Sequence, residues 1–347
     1  MTGHTTPRPR VLVAMSGGVD SSVAAALLHE RGHDVTGVTL KLWGGDSDSG
    51  CCSVSDVEDA RRVAAQLGIP HYVFNFTDEF TTSVVDPYVD AYASGHTPNP
   101  CVECNRAIKF GRLLDRASAL GFDRVATGHH ARVLQHGDRY ELARGADRAK
   151  DQSYVLYMLG QRELARSVFP VGELTKPQVR AHATRLGLRT ANKPESMDVC
   201  FVKKDGRVDF LAERSAMVPG TVVDSAGAVL GVHPGVASFT IGQRRGVGIA
   251  AGERRYVVDI DTRTATVTVG SRADLLRHEV AVRDLTFVDG APRERSLLVQ
   301  VRAHGEPAAA RLHANVVRFA HAQPRVARGQ VVALYHGDTL VGGGIAA

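Results

Sequence analysis

Between Arg10 and Gly32 the chain runs from an apolar stretch, RVLVAM, through Ser16-Gly17-Gly18-Val19-Asp20-Ser21 into an alanine- and leucine-rich stretch, SSVAAALLHER. This pattern predicts a buried strand over 10–15, a tight turn, and a helix over 21–31 closed by Gly32. Two adjacent glycines let the turn fold back sharply, so that its N–H groups and the helix N-terminus converge on one spot. Such a spot binds an anion, and the hydroxyls of Ser16, Ser21 and Ser22 are further donors. A simple Asx-type turn between strand and helix needs less. The loop is neither a Walker A sequence, which ends in Gly-Lys-Ser/Thr, nor the dinucleotide G-x-G-x-x-G. A carboxylate beside phosphate calls for a cation between them, which assigns Asp20 to Mg²⁺.

The elements after the loop restrict the fold. Apolar runs at 34–40, 71–76 and 124–127 alternate with helical patterns at 56–67, opened by Ser55 and Glu58 as a capping box, and at 108–120. Strand–helix alternation predicts an α/β fold, with a doubly wound parallel sheet that carries its ligands at the carboxyl ends of the strands. After about Gly206 the pattern changes to two-residue alternation with Gly-containing turns. The expected division is an α/β domain over 1–205, a small β-rich domain over 206–270 and a C-terminal β-barrel over 271–347.

The 347 residues suit two or three domains, and a net charge of +5 is a mild bias towards polyanions. From Ser271 onward there are 10 Arg, no Lys and 7 acidic residues, and Arg is suited to bidentate phosphate contacts. No apolar run approaches bilayer length, so no membrane partner is expected. The leader MTGHTTPRPR lacks the apolar core of a secretory signal. The five cysteines, Cys51, Cys52, Cys101, Cys104 and Cys200, are odd in number, which favours thiol chemistry or metal ligation over a disulfide framework and predicts a cytoplasmic protein. Cys51 and Cys52, being adjacent, read as a packing pair.

Asn99-Pro100-Cys101-Val-Glu-Cys104-Asn105 is expected in a loop before a helix, where a thiolate is favoured. By itself Cys101-x-x-Cys104 reads as half a zinc site, a redox pair or part of an iron–sulfur site. Two thiols that meet can also pass sulfur, one carrying it as a persulfide and the other resolving it. His129-His130 is either a polar loop element or part of a cleft. Lys150-Asp151-Gln152-Ser153 is either the cap of a following helix or a phosphate or base contact, and Gln243-Arg244-Arg245 is a basic turn.

The Ser16–Ser21 loop resembles the SGGxDS signature of the PP-loop ATP pyrophosphatases, which place AMP on a carbonyl oxygen and release pyrophosphate. Taken with LKLW (40–43), VEDAR (57–61), TPNPCVECNRAIKF (97–110), ATGHHAR (126–132), KDQSYVLY (150–157), SMDVCF (196–201), FTIGQRRGVGI (239–249) and LVGGGI (340–345), the chain resembles the bacterial tRNA-specific 2-thiouridylases over nearly its whole length. The resemblance implies a tRNA-uridine 2-sulfurtransferase that converts ATP to AMP and pyrophosphate while thiolating C2 of the wobble uridine. It implies ATP binding by Ala14, Met15, Ser16, Gly17, Gly18, Val19, Asp20, Ser21, Leu40 and Gly128. Cys200 carries the persulfide and Cys104 is its partner nucleophile, the two forming a disulfide on sulfur release. Asn99, Pro100 and Cys101 contact the target base. His129, Lys150, Asp151, Gln152, Arg302, Ala303 and Gln330 contact tRNA. The tRNAs implied are those for Lys, Glu and Gln, and the sulfur donor a cysteine desulfurase or relay protein.

One departure stands out: many relatives have Asp where this chain has Cys101. Three cysteines, Cys101, Cys104 and Cys200, are also the ligand number for a [4Fe–4S] cluster with one open iron, the alternative sulfur carrier. A PP-loop ligase acting on a small molecule is the competing enzyme class, and a non-catalytic RNA adaptor the competing binding class.

Overall fold

The computed structural model describes residues 8–43, 53–194, 199–202, 206–248, 254–292 and 296–347. Cys51, Cys52, residues 1–7 of the leader, 196–198 of the SMDVCF stretch and 249 of FTIGQRRGVGI lie outside these. The chain forms two compact units, the first made of residues 1–83, 102–201 and 338–340, the second of 84–101, 202–337 and 341–347.

The first unit is built on a five-stranded parallel sheet. Strand β1 (Arg10–Ala14) pairs with β2 (Asp34–Lys41) on one side and β4 (Arg124–Ala126) on the other; β3 (His71–Asn75) lies beyond β2, and β7 (Ser167–Val168) beyond β4. Between β4 and β7 the chain makes a hairpin, β5 (Ala131–His136) and β6 (Arg139–Arg144), absent from the sequence-based expectation. The order β3-β2-β1-β4-β7 reverses direction at β1, and the crevice beyond the carboxyl ends of β1 and β4 is the topological switch point where such sheets bind ligands.

Helix α1 (Val19–Glu30) is buried almost all round; Val23, Ala24, Ala25 and Ala26 are fully inaccessible. Its small side chains let it lie close on the sheet, against Val11, Val13 and Met15. Helix α2 (Val54–Leu67) is capped by Ser53, whose Oγ accepts from Asp56 N at 3.2 Å; the expected cap, Ser55, already lies inside the helix. Left-handed Gly68 ends it, as expected.

Two further differences bear on the site. The helix expected from Ile108 begins earlier: a helical turn over Pro100–Glu103 runs into a nine-residue π-helical stretch, Cys104–Arg112, and then the α-helix Leu113–Ala119. Wide π turns of this kind are common at functional sites. Ser153–Leu156 is a short 3₁₀ turn in place of the expected longer helix.

In the second unit, β8 (Gly220–Asp224), β9 (Val229–His233), β10 (Tyr256–Asp261) and β11 (Thr266–Gly270) form a sheet in the order β10-β11-β8-β9 around Val222, Phe239, Val257, Val267 and Val269. A six-stranded barrel follows: β12 (Leu276–Phe287), β13 (Ser296–Gln300), β14 (Ala308–His313), β15 (Val316–Pro324), β16 (Val331–His336) and β17 (Thr339–Ala346). Closure comes from β12, which pairs with β15 through its first half and with β17 through its second. The change of partner falls between Ala281 and Val282, just before a register shift between Arg283 and Thr286 that contains Asp284, whose φ is +53°. Parallel α/β sheet, β-rich segment and C-terminal barrel thus follow in the expected chain order.

Candidate functional site

Two strand ends make the switch-point crevice. Leaving β1, the chain turns at Met15, tied to β2 by Met15 N to Val38 O at 2.8 Å and by Thr39 Oγ1 donating to Met15 O at 2.8 Å. Gly17 has φ +72°, and a Cβ there would lie 2.3 Å from Asp56 O, so the phosphate loop rests directly on the first turn of α2. Gly18 precedes α1, whose N-terminus no side chain caps. Ser16 is exposed, while Ser21 and Ser22 turn inward, their hydroxyls 3.1 and 2.8 Å from Gly18 O. An uncapped helix N-terminus behind two glycines fits the phosphates of a nucleotide. From the other strand end, Gly128 packs on the same loop: a Cβ there would be 2.6 Å from Ser21 N and 3.0 Å from Asp20 Cβ. Leu40 is buried near the end of β2.

The charge in the loop is already balanced. Lys176 Nζ donates to Asp20 Oδ1 and Oδ2 at 2.9 and 2.7 Å, and His130 Nε2 lies 3.1 Å from Oδ1. Burial pushes the Asp20 carboxyl up, but the hydrogen bonds and charges of His130 and Lys176 outweigh it and hold it below the usual carboxylate range. Among the described residues no group of three or more His, Cys, Asp or Glu side chains is placed to hold a metal ion.

His129 is buried, 8% exposed, between Phe110 and Phe169, with Nδ1 2.6 Å from Thr127 Oγ1. Burial first, then the nearby charges of Lys109 and His130, push its pKa well below the ordinary histidine value. As pH falls through about 6.5, the unfolded chain takes a proton that the folded imidazole refuses, so this residue costs stability on the acid side. His129→Gln is expected to flatten the loss of stability between neutral and mildly acidic pH, read from denaturant melts of both proteins.

Of the Lys150-Asp151-Gln152 stretch, Asp151 is committed internally. Its carboxylate, 7% exposed overall, pairs with Arg144 Nη1 at 2.8 Å and accepts from Gly145 N, Ser153 N and Ser153 Oγ. It therefore ties the start of the 3₁₀ turn to Arg144 and Gly145. Asp151→Ala leaves a buried guanidinium without its carboxylate and is expected to cost about 3–5 kcal/mol in denaturant melts. Gln152 is exposed, its Oε1 accepting from His130 N at 3.0 Å, and Lys150 is half-buried.

Cys101 and Cys200 are half-buried and Cys104 is buried. In the first unit, buried Cys104 opens the π-helical stretch, anchored by Asn105 Nδ2 donating to Val155 O at 3.0 Å. Cys200 is half-buried, and Phe201 beside it packs on Phe80 and Trp43 at centroid distances of 5.5 and 6.2 Å. In the second unit, Asn99 Oδ1 accepts from Cys101 N at 3.1 Å, and Thr97 N donates to Arg328 O, two residues before Gln330. Arg302 and Ala303 are exposed, and their carbonyls accept from Gln300 Nε2. Gln243 shapes its own turn by accepting from Thr240 N and donating to Arg245 O, leaving Arg244 and Arg245 exposed.

Three family models match in succession: "tRNA methyl transferase HUP domain" over 9–204, "tRNA methyl transferase PRC-barrel domain" over 208–271 and "Aminomethyltransferase beta-barrel domain" over 277–346. The chain is 49% identical to the tRNA-specific 2-thiouridylase of Roseiflexus castenholzii, over 96% of this chain and 98% of that one. The chain belongs to the tRNA-specific 2-thiouridylase family. The thiouridylase of Chloroflexus aurantiacus is 51% identical over 96% of this chain and 97% of its own length, and that of Desulforamulus reducens 47% over 96% of both.

Against the thiouridylase motifs, Lys176 and Lys193 are the residues that sequence reasoning missed. Thr175-Lys176-Pro177-Gln178 carries a capping-box signature, and Gln178 Oε1 accepts from Thr175 N at 2.8 Å. That signal marks where the helix Lys176–Arg185 begins. It does not reveal that the lysine reaches Asp20, 156 positions earlier. His130, left open between loop and cleft, is 3% exposed and holds Asp20.

Proposed function

We propose that this chain thiolates C2 of the wobble uridine in tRNA, consuming ATP to AMP and pyrophosphate, as a member of its family with the phosphate loop and both sulfur-handling cysteines in place. The observation that carries this reading is the loop itself: Gly17 and Gly18 stand before an uncapped helix N-terminus at the switch point, in a chain 49% identical to a tRNA-specific 2-thiouridylase. The loop holds the triphosphate, with Gly128 closing the opposite side and Leu40 beside the adenine. Magnesium arrives with the nucleotide, and Asp20 is the carboxylate that meets it.

Ordinary uridine keeps its C2 oxygen because oxide is a poor leaving group. Attack of that oxygen on the α-phosphate expels pyrophosphate and leaves C2 bearing AMP. The terminal sulfur of a Cys200 persulfide then bonds to C2 and AMP departs. Cys104 attacks Cys200 Sγ, the sulfur–sulfur bond breaks, C2 keeps the sulfur, and a Cys104–Cys200 disulfide remains for a thiol reductant to open. Asn99, Pro100 and Cys101 meet the base, which leaves its stack to reach the cleft. His129, Lys150, Asp151, Gln152, Arg302, Ala303 and Gln330 hold the RNA, so affinity falls steeply with salt. A cysteine desulfurase or relay protein recharges Cys200, and the tRNAs are those for Lys, Glu and Gln.

Cys101, in place of the Asp of many relatives, favours a second reading in which a [4Fe–4S] cluster carries the sulfur. Cys101, Cys104 and Cys200 are the three thiolates that would hold it, leaving one iron open to bind sulfide. A brown anaerobic preparation that loses its colour in Cys101→Ser supports the cluster; a colourless active protein excludes it.

The decisive assay combines the protein with ATP, Mg²⁺, a persulfide donor and unmodified tRNA. Both 2-thiouridine, by mass spectrometry, and pyrophosphate are expected. Pyrophosphate without thiouridine points to a different acceptor, and neither product to a binding role alone.

A further inference from the structure

Lys193 is used by no step described above, yet it lies at a junction. Its Nζ donates to Asp56 Oδ1 at 2.6 Å and to Asp59 Oδ2 at 2.7 Å. Arg189 Nε adds a contact to Asp59 Oδ1 at 3.3 Å. Both carboxylates are 17% exposed and the ammonium 26%, so solvent and salt screen these pairs less than an ordinary surface pair. Both acids sit near the start of α2, where Asp56 Oδ2 also accepts from Ser53 Oγ at 2.7 Å.

The backbone of Asp56 is the surface on which the phosphate loop rests: its carbonyl oxygen occupies the space a Gly17 side chain would need. The carboxylate of the same residue grips Lys193, seven positions before Cys200 in the chain. On the far side of Cys200, Phe201 is fixed against Phe80 and Trp43, the latter two residues past the end of β2. On one side of Cys200 in the chain, Lys193 is thus tied to the helix that underlies the nucleotide loop, and on the other Phe201 is held by Phe80 and Trp43. A pair serving only to close the Arg189–Asn192 turn on α2 needs neither two carboxylates for one lysine nor the residue that underlies Gly17.

We propose that Lys193 is a positioning residue that couples uridine activation at the phosphate loop to sulfur delivery from Cys200, an inference that rests on the thiolation reading above. With the tie released, the activated uridine forms but the thiol is misplaced, and AMP is lost to water instead of to sulfur.

The test is the yield of 2-thiouridine per pyrophosphate released, with ATP, Mg²⁺, persulfide donor and tRNA. Lys193→Ala is expected to lower this ratio about tenfold to a hundredfold, the size of penalty that misplacing a reacting group brings, while pyrophosphate release continues. Lys193→Arg should restore most of it. Asp59→Asn, which removes one acceptor and leaves Asp56 under Gly17, should lower it in the same direction and decides the matter if Lys193→Ala does not fold. An unchanged ratio in both variants, or thiouridine and pyrophosphate falling together in both, overturns the proposal. Cys200→Ser runs alongside: if it still makes thiouridine, the reading of Cys200 has failed, a result distinct from failure of the tie.

Discussion

Replacing Gly17 by alanine is expected to abolish ATP-dependent pyrophosphate release, whereas the same change at Gly32 leaves it nearly intact. Both glycines adopt the left-handed backbone, with φ of +72° and +81°. Each substitution therefore carries the same conformational penalty, about 1–2 kcal/mol for an L residue. They differ in the space around them. At Gly32 an added Cβ meets no atom within 4 Å, while at Gly17 it meets Asp56 O at 2.3 Å and Asp56 Cα at 2.8 Å. These neighbours are backbone atoms in the first turn of α2, which cannot rotate aside like a flexible side chain. The loop must move instead, and the N–H groups proposed to meet the phosphates move with it. A fall of at least about a hundredfold in kcat/KM for ATP is expected, since each 1.36 kcal/mol is a factor of ten. Steady-state pyrophosphate release by Gly17→Ala, Gly32→Ala and the parent protein, with folding checked by circular dichroism, tests the prediction; equal rates in the two variants would contradict it.

The second large effect concerns sulfur. Cys200→Ser is expected to lower 2-thiouridine formation at least about a thousandfold, because a hydroxyl cannot store sulfane sulfur and the lost nucleophile has no substitute. ATP binding should persist, since the loop from Ala14 to Ser21 is built by β1, α1 and α2 without Cys200. Cys104→Ser is expected to separate loading from delivery: the protein still accepts one sulfur from a persulfide donor, visible as added mass, but does not pass it on. Cys104 is buried at the head of a π-helical stretch, and serine occupies nearly the same volume there. Loss of structure is thus a poor explanation for loss of delivery. If Cys200→Ser retained thiouridine formation, the sulfur route described above would be wrong.

Much of this was legible because it is local. The strand, the two-glycine turn and the helix are announced within a dozen residues, and apolar periodicity distinguishes the parallel sheet from the barrel. What was not legible depends on distance along the chain or on small shifts of register. Ser53 displaced Ser55 as the cap of α2 because both offer the same hydroxyl, and only the path of the chain selects between them. The early start of the helix at Pro100 follows from proline's compatibility with a first helical turn, a signal outweighed by the loop-like Thr97-Pro98-Asn99 before it. The π-helical turns from Cys104 to Arg112 have no periodic signature that separates them from an α-helix.

The counter-ions were hidden for a different reason. Asp20 beside phosphate calls for a cation, and the sequence nominated Mg²⁺. The structure places Lys176, from the first turn of a helix far along the chain, on both of its carboxylate oxygens. Asp151 is likewise tied within the fold, its oxygens accepting from Arg144, Gly145 and Ser153. Neither partner set could be read from spacing, since side-chain pairing across a fold leaves no trace in local sequence.

The central claim is that ATP activates the uridine oxygen so that sulfur can displace it. The most direct measurement follows that oxygen, using tRNA whose target uridine carries a heavy oxygen isotope at C2. The account predicts that the label appears in AMP, in step with 2-thiouridine formed. Label released to solvent or found in pyrophosphate, with AMP unlabelled, would contradict it.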